Sequence, residues 1–182
     1  MLASAVGSLT NPKKLFDTFI SNGEKELSFN TVNSYIRFIE DSFIVNKSDR
    51  YDIKGKKYIQ TPQKYYFVDI GLRNARLNFR QQEENHLMEN IIYNELINKG
   101  YEVYIGKTSK GEIDFIASKD KNIKYIQACY DLSNEETRDR EFRAFDNIND
   151  NYQKYVISKD IEDYSQNGIK HLNMIKFLKE FI

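Results

Sequence analysis

Two short segments of alternating apolar and polar residues limit the fold of this chain most narrowly. The segments are YEVYIG, which begins at Tyr101, and GEIDFIAS, which ends at Ser118, and the polar stretch KTSK separates them. Alternation with a period of two predicts β-strands that each turn one face toward a core. A polar stretch of this length between two glycines predicts a hairpin turn. We therefore expect a pair of neighbouring strands in the second half of the chain.

The same turn contains the letters GKTS, with which a phosphate-binding P-loop ends. A P-loop requires a glycine five residues before Gly106 and a helix after the lysine, because the helix N-terminus holds the phosphate. Tyr101 occupies the position of that glycine, and a strand-like segment follows Lys107 where a helix is required. The sequence therefore predicts no ATP site in this chain.

The first 80 residues predict two amphipathic helices followed by a two-stranded ribbon. Apolar residues repeat at helical spacing in KKLFDTFISNG and FNTVNSYIRFIED, and the strand-like runs after them flank Lys54-Gly55-Lys56. This order is typical of a winged helix, in which the second helix enters the DNA major groove and the wing contacts the backbone. The candidate nucleic-acid-binding residues are Asn33 and Arg37 on the second helix and Lys54, Lys56 and Lys57 on the wing.

Charge is distributed unevenly along the chain, although the net charge is zero. Residues 1–80 contain 13 Lys and Arg against 8 Asp and Glu, and the remainder contains 14 against 19. A basic N-terminal part favours DNA as its partner. Winged helices also serve as rigid linkers and dimerisation modules, and that alternative stays open.

The segment from residue 81 onward predicts a second domain, and the boundary is placed where the composition becomes acidic. The helix HLMENIIYNELINKG is followed by three strands, a helix over Asn134–Ile148, the strand KYVISK and a C-terminal helix with a strand-like start. The order α-β-β-β-α-β-α predicts a small mixed sheet flanked by helices. The predicted fold class is mixed α+β, with a winged helix-turn-helix in residues 1–80 and a small α/β domain in residues 81–182.

Three polar residues of the second domain are candidates for a site. Glu89 lies in the first helix, Asp114 in the second strand and Gln127 in the middle of the third. Alternation predicts that Asp114 and Ile116 share one face of the strand and that Ile113 lies on the other. An aspartate and a glutamine in the middle of apolar strands are costly to bury without partners. A purely structural network, with Glu89 as a solvated helix residue, is the alternative.

A helix glutamate, a strand aspartate and an acid or amide on the next strand resemble the core of PD-(D/E)XK nucleases, which have a restriction-endonuclease-like fold. In that superfamily acidic oxygens hold Mg²⁺, which generates the nucleophile, and a lysine helps to stabilise the pentavalent phosphate. The resemblance implies catalytic roles for Glu89, Asp114 and Gln127, with Asp114 and Gln127 as metal ligands. Cys129 occupies the position of the superfamily's lysine, and Lys107 in the neighbouring turn is the candidate replacement.

Several longer stretches resemble the region C-terminal to the ATPase domain in bacterial and archaeal AAA-type ATPases, a domain of unknown function. They are RYDIKGKKYIQTPQKYYFVDIGLRNARL, HLMENIIYNELINKGYEVYIGK, GEIDFIA and DNYQKYVIS. The resemblance implies a winged helix, a nuclease-like domain and an ATPase domain as partner, in the same full-length chain or in another protein. The start at MLASAVGSLT, without a Walker motif, indicates the C-terminal part of such an ATPase.

The leading hypothesis is a DNA-binding or partner-targeting module of an AAA-type ATPase whose nuclease-like domain is degenerate and inactive. A Mg²⁺-dependent deoxyribonuclease and a protein-interaction or oligomerisation module without nucleic acid are the alternatives. Arg138 and Arg143 either form solvated ion pairs or face a phosphate. The single cysteine and two histidines disfavour disulfides and structural zinc and fit the cytoplasm. No apolar run approaches the roughly 20 residues of a membrane helix.

Overall fold

The structure, a computed structural model, describes residues 1–24, 26–79, 83–109 and 111–181. A 3-10 turn at Leu2–Ser4 is followed by two helices, α1 over Pro12–Ser21 and α2 over Phe29–Asp41. Each helix begins at a capping residue, because the side chains of Asn11 and Ser28 accept the backbone N–H of the third helical residue. The two predicted N-terminal helices are thereby confirmed.

Within the described ranges, seven strands form one mixed sheet. The strands are β1 (Val45–Asp52), β2 (Lys57–Phe67), β3 (Glu102–Lys107), β4 (Glu112–Lys119), β5 (Asn122–Ala128), β6 (Gln153–Ser158) and β7 (Ile169–Asn173). The remaining helices are α3 (Ile70–Arg76), α4 (Glu84–Asn98), α5 (Glu135–Arg143) and α6 (Met174–Glu180). The strands lie in the order β2-β1-β3-β4-β5-β6-β7. The chain therefore has the mixed α+β fold class that the sequence predicts.

The N-terminal ribbon and the second half of the chain share this sheet. β1 and β2 form the predicted antiparallel hairpin. β1 also pairs in parallel with β3, with Arg50 opposite Ile105 and Asp52 opposite Lys107, an arrangement that the sequence did not predict. The predicted domain boundary, between residues 80 and 81, lies outside the described residues.

Two apolar clusters lie on opposite faces of the sheet. Along β6, Tyr155 and Ile157 belong to the first cluster and Val156 to the second, as strand alternation requires. The first cluster joins the sheet to α4, where Ile92 is fully buried, and the second joins it to α5 through Phe142. Helices thus cover both faces of the sheet around the candidate site.

β4 contains a bulge at the candidate aspartate, Asp114. Tyr104 of β3 lies opposite Ile116 and Gly106 lies opposite Ile113, so β4 has one residue more than β3 between these two pairs. Ile113 and Ile116 consequently pack in the same apolar cluster. The prediction that these two residues lie on opposite faces is wrong, because strict alternation does not account for the extra residue.

The GKTS stretch is the end of a strand and a turn, as predicted. The Thr108 N–H donates to the Gly111 carbonyl at 3.0 Å across this turn, whose Lys110 lies outside the described part of the chain. Gly106 lies inside β3, where an added Cβ atom would stand 2.9 Å from the Cβ atom of Ile113. The close approach of β4 at the bulge explains this glycine without a phosphate.

Two elements differ from their predicted bounds. The helix predicted to reach Ile148 ends at Arg143, and Phe145 and Ile148 pack into the second apolar cluster from the turns that follow. The strand-like start of the C-terminal segment is a separate strand, β7, at the edge of the sheet. In the part of the chain that the structure describes, no helix has the length and apolar character to cross a membrane.

Candidate functional site

Lys64 of β2 lies at the centre of three carboxylates. Its Nζ lies 2.7 Å from Oε1 of Glu112, 2.9 Å from Oε1 of Glu89 and 3.4 Å from Oδ1 of Asp114. The Lys64 side chain is only 4% exposed, so salt screens these ion pairs little. One buried ammonium thus joins acids from α4 and β4, and we call these four residues the Lys64 cluster.

Two neighbours enclose the Lys64 cluster at Glu89. The hydroxyl of Tyr66, which is fully buried and stacked on Tyr93, donates to Oε1 of Glu89 at 2.7 Å. The N-terminal segment passes over the other oxygen, since a Cβ atom on Gly7 would stand 2.6 Å from Oε2 of Glu89. Gly7 has a φ of +72°, a left-handed conformation that glycine adopts readily. Segments distant in sequence therefore close this side of the cluster.

Burial and charge shift the pKa values in the Lys64 cluster. Burial raises the pKa of Glu89 to about 7, against the opposing effect of the Lys64 ammonium. Burial alone would lower the pKa of Lys64, but the surrounding carboxylates outweigh it and raise that pKa above its ordinary value. Three acids around one ammonium carry excess negative charge, which a proton on Glu89 reduces. Glu89 therefore titrates near neutral pH while Lys64 stays charged.

We expect Glu89→Gln to change how stability depends on pH. Folding raises the pKa of Glu89 from 4.5 to about 7, so the folded state binds more protons in this window and loses stability as pH rises through it. The glutamine amide does not titrate. The unfolding free energy of the variant minus that of wild type should therefore increase by about 2 kcal/mol from pH 5 to pH 8. Urea unfolding at both pH values measures this difference, with Glu95→Gln on the same helix as control. Parallel pH curves for wild type and Glu89→Gln would contradict the assignment.

Asp114 and Gln127 lie side by side where β4 and β5 separate. The Ala128 N–H donates to Oδ2 of Asp114 at 2.9 Å, and the Asp114 N–H donates to Oε1 of Gln127 at 3.2 Å. These bonds replace the backbone ladder between β4 and β5, which begins one residue after Asp114. The Gln127 amide nitrogen donates to Oε2 of Glu141 on α5 at 2.9 Å. Gln127 thus links the backbone of Asp114 to α5.

The residues implied for Mg²⁺ do not fit a metal ion in this arrangement. Mg²⁺ demands near-octahedral oxygen ligands at about 2.0–2.1 Å, whereas the Lys64 ammonium lies among the carboxylates that would supply them. Gln127, the second implied ligand, bonds to the Asp114 backbone and to Glu141. Across the described ranges, no group of three His, Cys, Asp or Glu side chains is placed to hold a metal. The cation of this cluster is the lysine.

Lys107, the predicted replacement lysine, pairs with Asp52 and not with Asp114. Its Nζ lies 3.9 Å from Oδ2 of Asp52 on β1, which is the neighbour of β3 on the side away from β4. The lysine beside Asp114 is Lys64, which the sequence reasoning missed. The sequence feature that could have identified Lys64 is its place directly before the aromatic run Tyr65–Phe67, which is buried. A lysine buried with such a run requires a partner for its charge.

The candidate lysines of the ribbon lie together with Lys107 at one end of the strands, where β1 and β3 end and β2 begins. Lys54, Lys56 and Lys57 are exposed around the β1–β2 turn, and within the described chain they form no ion pair with a carboxylate. The parallel pairing of β1 with β3 brings this turn beside Lys107, which lies opposite Asp52. We call these four lysines the basic edge.

The candidate residues of α2 lie elsewhere. Arg37 is exposed and Asn33 partly exposed. The end of α2 leads into the start of β1, whereas the basic edge lies at the end of β1. Two aromatic side chains elsewhere on α2 are also exposed, Tyr35 by 53% and Phe38 by 63%. The solvent-facing side of α2 is therefore more apolar than the DNA-reading role predicts.

A polar cleft of about 900 Å³ lies between the β3–β4 turn and α5, next to the Lys64 cluster. Glu112 and Gln127 line it, together with Arg143 of α5. Arg140 forms an ion pair with Glu141 at 2.7 Å in the same wall. The cleft thus contains both signs of charge, and the Glu112 carboxylate connects it to Lys64.

The contacts of Arg138 and Cys129 indicate structural roles for both side chains. Arg138 donates to the Leu132 carbonyl at 3.1 Å and lies over the Tyr164 ring. The Cys129 thiol is buried, and burial raises its pKa to about 11. A thiol with a raised pKa is a poor nucleophile at neutral pH, so Cys129 packs as a small apolar side chain.

Comparison with known proteins relates the chain to two domain families and a longer bacterial protein. Residues 1–83 match the model of a domain of unknown function (DUF8612), and residues 84–178 match that of a second one (DUF4143). The chain is similar to an uncharacterized protein of Haemophilus influenzae, with 35% identity over 178 residues. The match covers 97% of this chain and 44% of that protein. No solved structure matches the chain.

Proposed function

We propose that this chain, which belongs to the DUF4143 family of domains of unknown function, is a catalytically inactive DNA-binding module of an AAA-type ATPase. The observation that carries the proposal is the buried Lys64 ammonium, which lies 2.7–3.4 Å from three carboxylates. A nuclease of the PD-(D/E)XK type needs a metal ion at its acids to generate a nucleophile. The Lys64 ammonium already neutralises part of the negative charge of these acids and occupies the space among them, so a metal ion is not needed there.

The basic edge supports DNA as a ligand. Lys54, Lys56 and Lys57 are exposed, and Lys107 lies beside them across the β1–β3 pairing. Four lysines on one edge can neutralise several phosphates and release the bound counterions, a source of affinity independent of DNA sequence. DNA contacts from Asn33 and Arg37, which lie on α2 away from the basic edge, remain a separate prediction.

The resemblance to the region that follows the ATPase domain supports an ATPase as the partner. The matched region is only 44% of the H. influenzae relative, which leaves room in that protein for a further domain. In this proposal the ATPase supplies the chemical work, and the present chain directs it to DNA.

A Mg²⁺-dependent deoxyribonuclease is the second candidate, and one distance favours it. Lys64 Nζ lies 3.4 Å from Asp114, near the place where a nuclease needs its lysine. Two observations weigh more heavily against it: the Lys64 side chain is almost completely buried, and Gly7 covers Glu89. A phosphodiester cannot reach the ammonium without displacing these segments.

One assay separates the two candidates. Binding of a fluorescein-labelled DNA duplex is measured by anisotropy at increasing salt, and the same duplex is incubated with protein and Mg²⁺ or Mn²⁺. We expect affinity to fall steeply with salt and the DNA to remain uncut. Cleavage that needs the metal and disappears in Asp114→Ala would favour the nuclease, and cleavage unchanged in that variant would indicate a contaminant. Absence of binding at low salt would refute the DNA-directed role.

A further inference from the structure

An apolar groove of about 500 Å³ lies between the N-terminal 3-10 turn, α1, α2 and α3. Buried side chains such as Leu15, Val32 and Ile36 form its floor. Its walls include Tyr35 of α2, which is 53% exposed, and Leu72 of α3, which is 47% exposed. Large apolar side chains are therefore accessible on both the α2 and the α3 side.

The exposed apolar surface continues along α2 and the turn after it. Phe38 is 63% exposed, and Phe43 is 78% exposed with a φ of +55°, a conformation that bulky residues rarely adopt. Exposed apolar side chains that lie close together mark interaction sites. A helix that reads DNA bases relies instead on cations and amides, so this side of α2 fits a protein partner better than DNA.

Arg76 is the one charged side chain among the described residues that line the groove. Arg76, in the last turn of α3, lines the groove and is exposed. Among the described lining residues there is no acid, and no carboxylate of the described chain pairs with Arg76. The groove therefore complements a ligand that has an apolar face and a carboxylate at its border.

We propose that this groove binds an amphipathic helix of a partner protein, with apolar residues at positions i, i+3 or i+4 and i+7 and acidic residues flanking them. A helix displays such residues in one row, and helix-in-groove recognition uses apolar grooves of this kind. One acidic residue of the partner helix pairs with Arg76. The groove and the basic edge are different surfaces, so this binding does not depend on DNA binding.

A tryptophan-containing peptide tests the proposal, because the chain itself has no tryptophan. The probe is a helical peptide of about 15 residues, with leucines and one tryptophan on its apolar face and glutamates on the flanks. A matched peptide carries lysines in place of the glutamates. We expect the acidic peptide to bind saturably, as measured by tryptophan fluorescence, and about 5-fold more tightly than the lysine peptide.

Two variants of the groove complete this experiment. Leu72→Asp should weaken binding of the acidic peptide by about 30-fold, and Arg76→Glu should reverse the order of the two peptides. Both side chains are exposed, so circular dichroism and melting should match wild type. Ile161→Asp is the control, because Ile161 is 93% exposed in the loop between β6 and β7 and does not line the groove.

Three results would overturn the proposal. They are failure of the acidic peptide to bind, unchanged binding to Leu72→Asp, and a concentration-dependent dimer that Leu72→Asp dissociates, since a second copy would then occupy the groove. Reversing the charges of Lys56 and Lys57, which tests DNA binding, should leave peptide binding unchanged. Failure of the DNA-directed role and failure of the groove proposal are therefore distinguishable.

Discussion

Replacing Lys64 with methionine is expected to lower the unfolding free energy by about 3–5 kcal/mol at pH 8. Methionine has a similar length and fills the same space, so the change mainly removes the charge. Glu89, Glu112 and Asp114 then face one another without the ammonium that now lies 2.7–3.4 Å from them. Removing one partner of a buried ion pair leaves uncompensated charge, which is why the expected loss is large.

The loss caused by Lys64→Met should shrink as the pH falls. Glu89 has a pKa of about 7 in the wild-type protein, and near pH 5 its protonation removes one of the three negative charges. Urea unfolding of wild type and variant at pH 8 and pH 5 measures both effects. Lys107→Met is the matched control, because the Lys107 side chain is 44% exposed and pairs with Asp52 only at 3.9 Å. This variant should change stability by at most about 0.5 kcal/mol. A Lys64→Met protein as stable as this control at pH 8 would show that the cluster does not depend on its lysine.

Reversing two charges of the basic edge, with Lys56→Glu and Lys57→Glu together, is expected to weaken DNA binding by roughly 10- to 100-fold at low salt. Each lysine that contacts a phosphate contributes about 0.9 to the slope of log affinity against log salt. The double variant should therefore show a slope shallower by about 2. Both side chains are exposed at a turn, so we expect the fold to be unaffected.

Lys176→Glu and Lys179→Glu together are the matched control for this double variant. Both control residues are exposed on α6, and the net charge changes by the same amount. Anisotropy titrations of one labelled duplex against the three proteins give the affinities and slopes. Equal weakening of DNA binding in both double variants would mean that affinity depends on the net charge of the protein. The basic edge would then not be the DNA-binding surface.

Local patterns were sufficient for most of the secondary structure. The capping residues before α1 and α2, the apolar periodicity of both helices and the glycine-containing turn after Asp52 depend on neighbours in sequence, and these elements lie where they were predicted. The turn at Thr108 could likewise be separated from a P-loop by spacing and strand context alone. Such features are local, and a single sequence records them directly.

The ion pairs of Lys64 with the acids of the second half of the chain depend on packing between segments that are distant in sequence. β1 pairs with β3 across about fifty residues of sequence, and this pairing lets the ribbon strand β2 contribute Lys64 to acids of the second half. No alternation pattern contains that information. The bulge at Asp114, where Gly106 packs closely against Ile113, is likewise absent from the alternation pattern. Glu89 and Asp114 could therefore be named as candidates from the sequence, whereas Glu112 and Lys64 were not.

For α2, too, one part of the structure could be predicted from the sequence and another part could not. Its existence and buried side, with Val32 and Ile36, follow from apolar periodicity. Its exposed side was assigned to DNA by analogy with winged helices, although Phe38 is an apolar residue that a period of 3.6 leaves outside the core stripe. Tyr35 belongs to the predicted apolar stripe but is 53% exposed, and periodicity alone does not predict that exposure.

The claim that Lys64 is the cation of the acid cluster is tested most directly by metal binding. Calorimetric titration with Mn²⁺ at pH 8 compares wild type, Lys64→Ala and the double variant Lys64→Ala/Asp114→Ala. Alanine removes the ammonium and opens space among the three carboxylates, so Lys64→Ala should bind Mn²⁺ and be stabilised by it, and the double variant should lose that binding. The wild-type protein should show no binding that depends on Asp114. Binding of Mn²⁺ to wild type that Asp114→Ala abolishes would contradict the account and restore the metal-dependent nuclease.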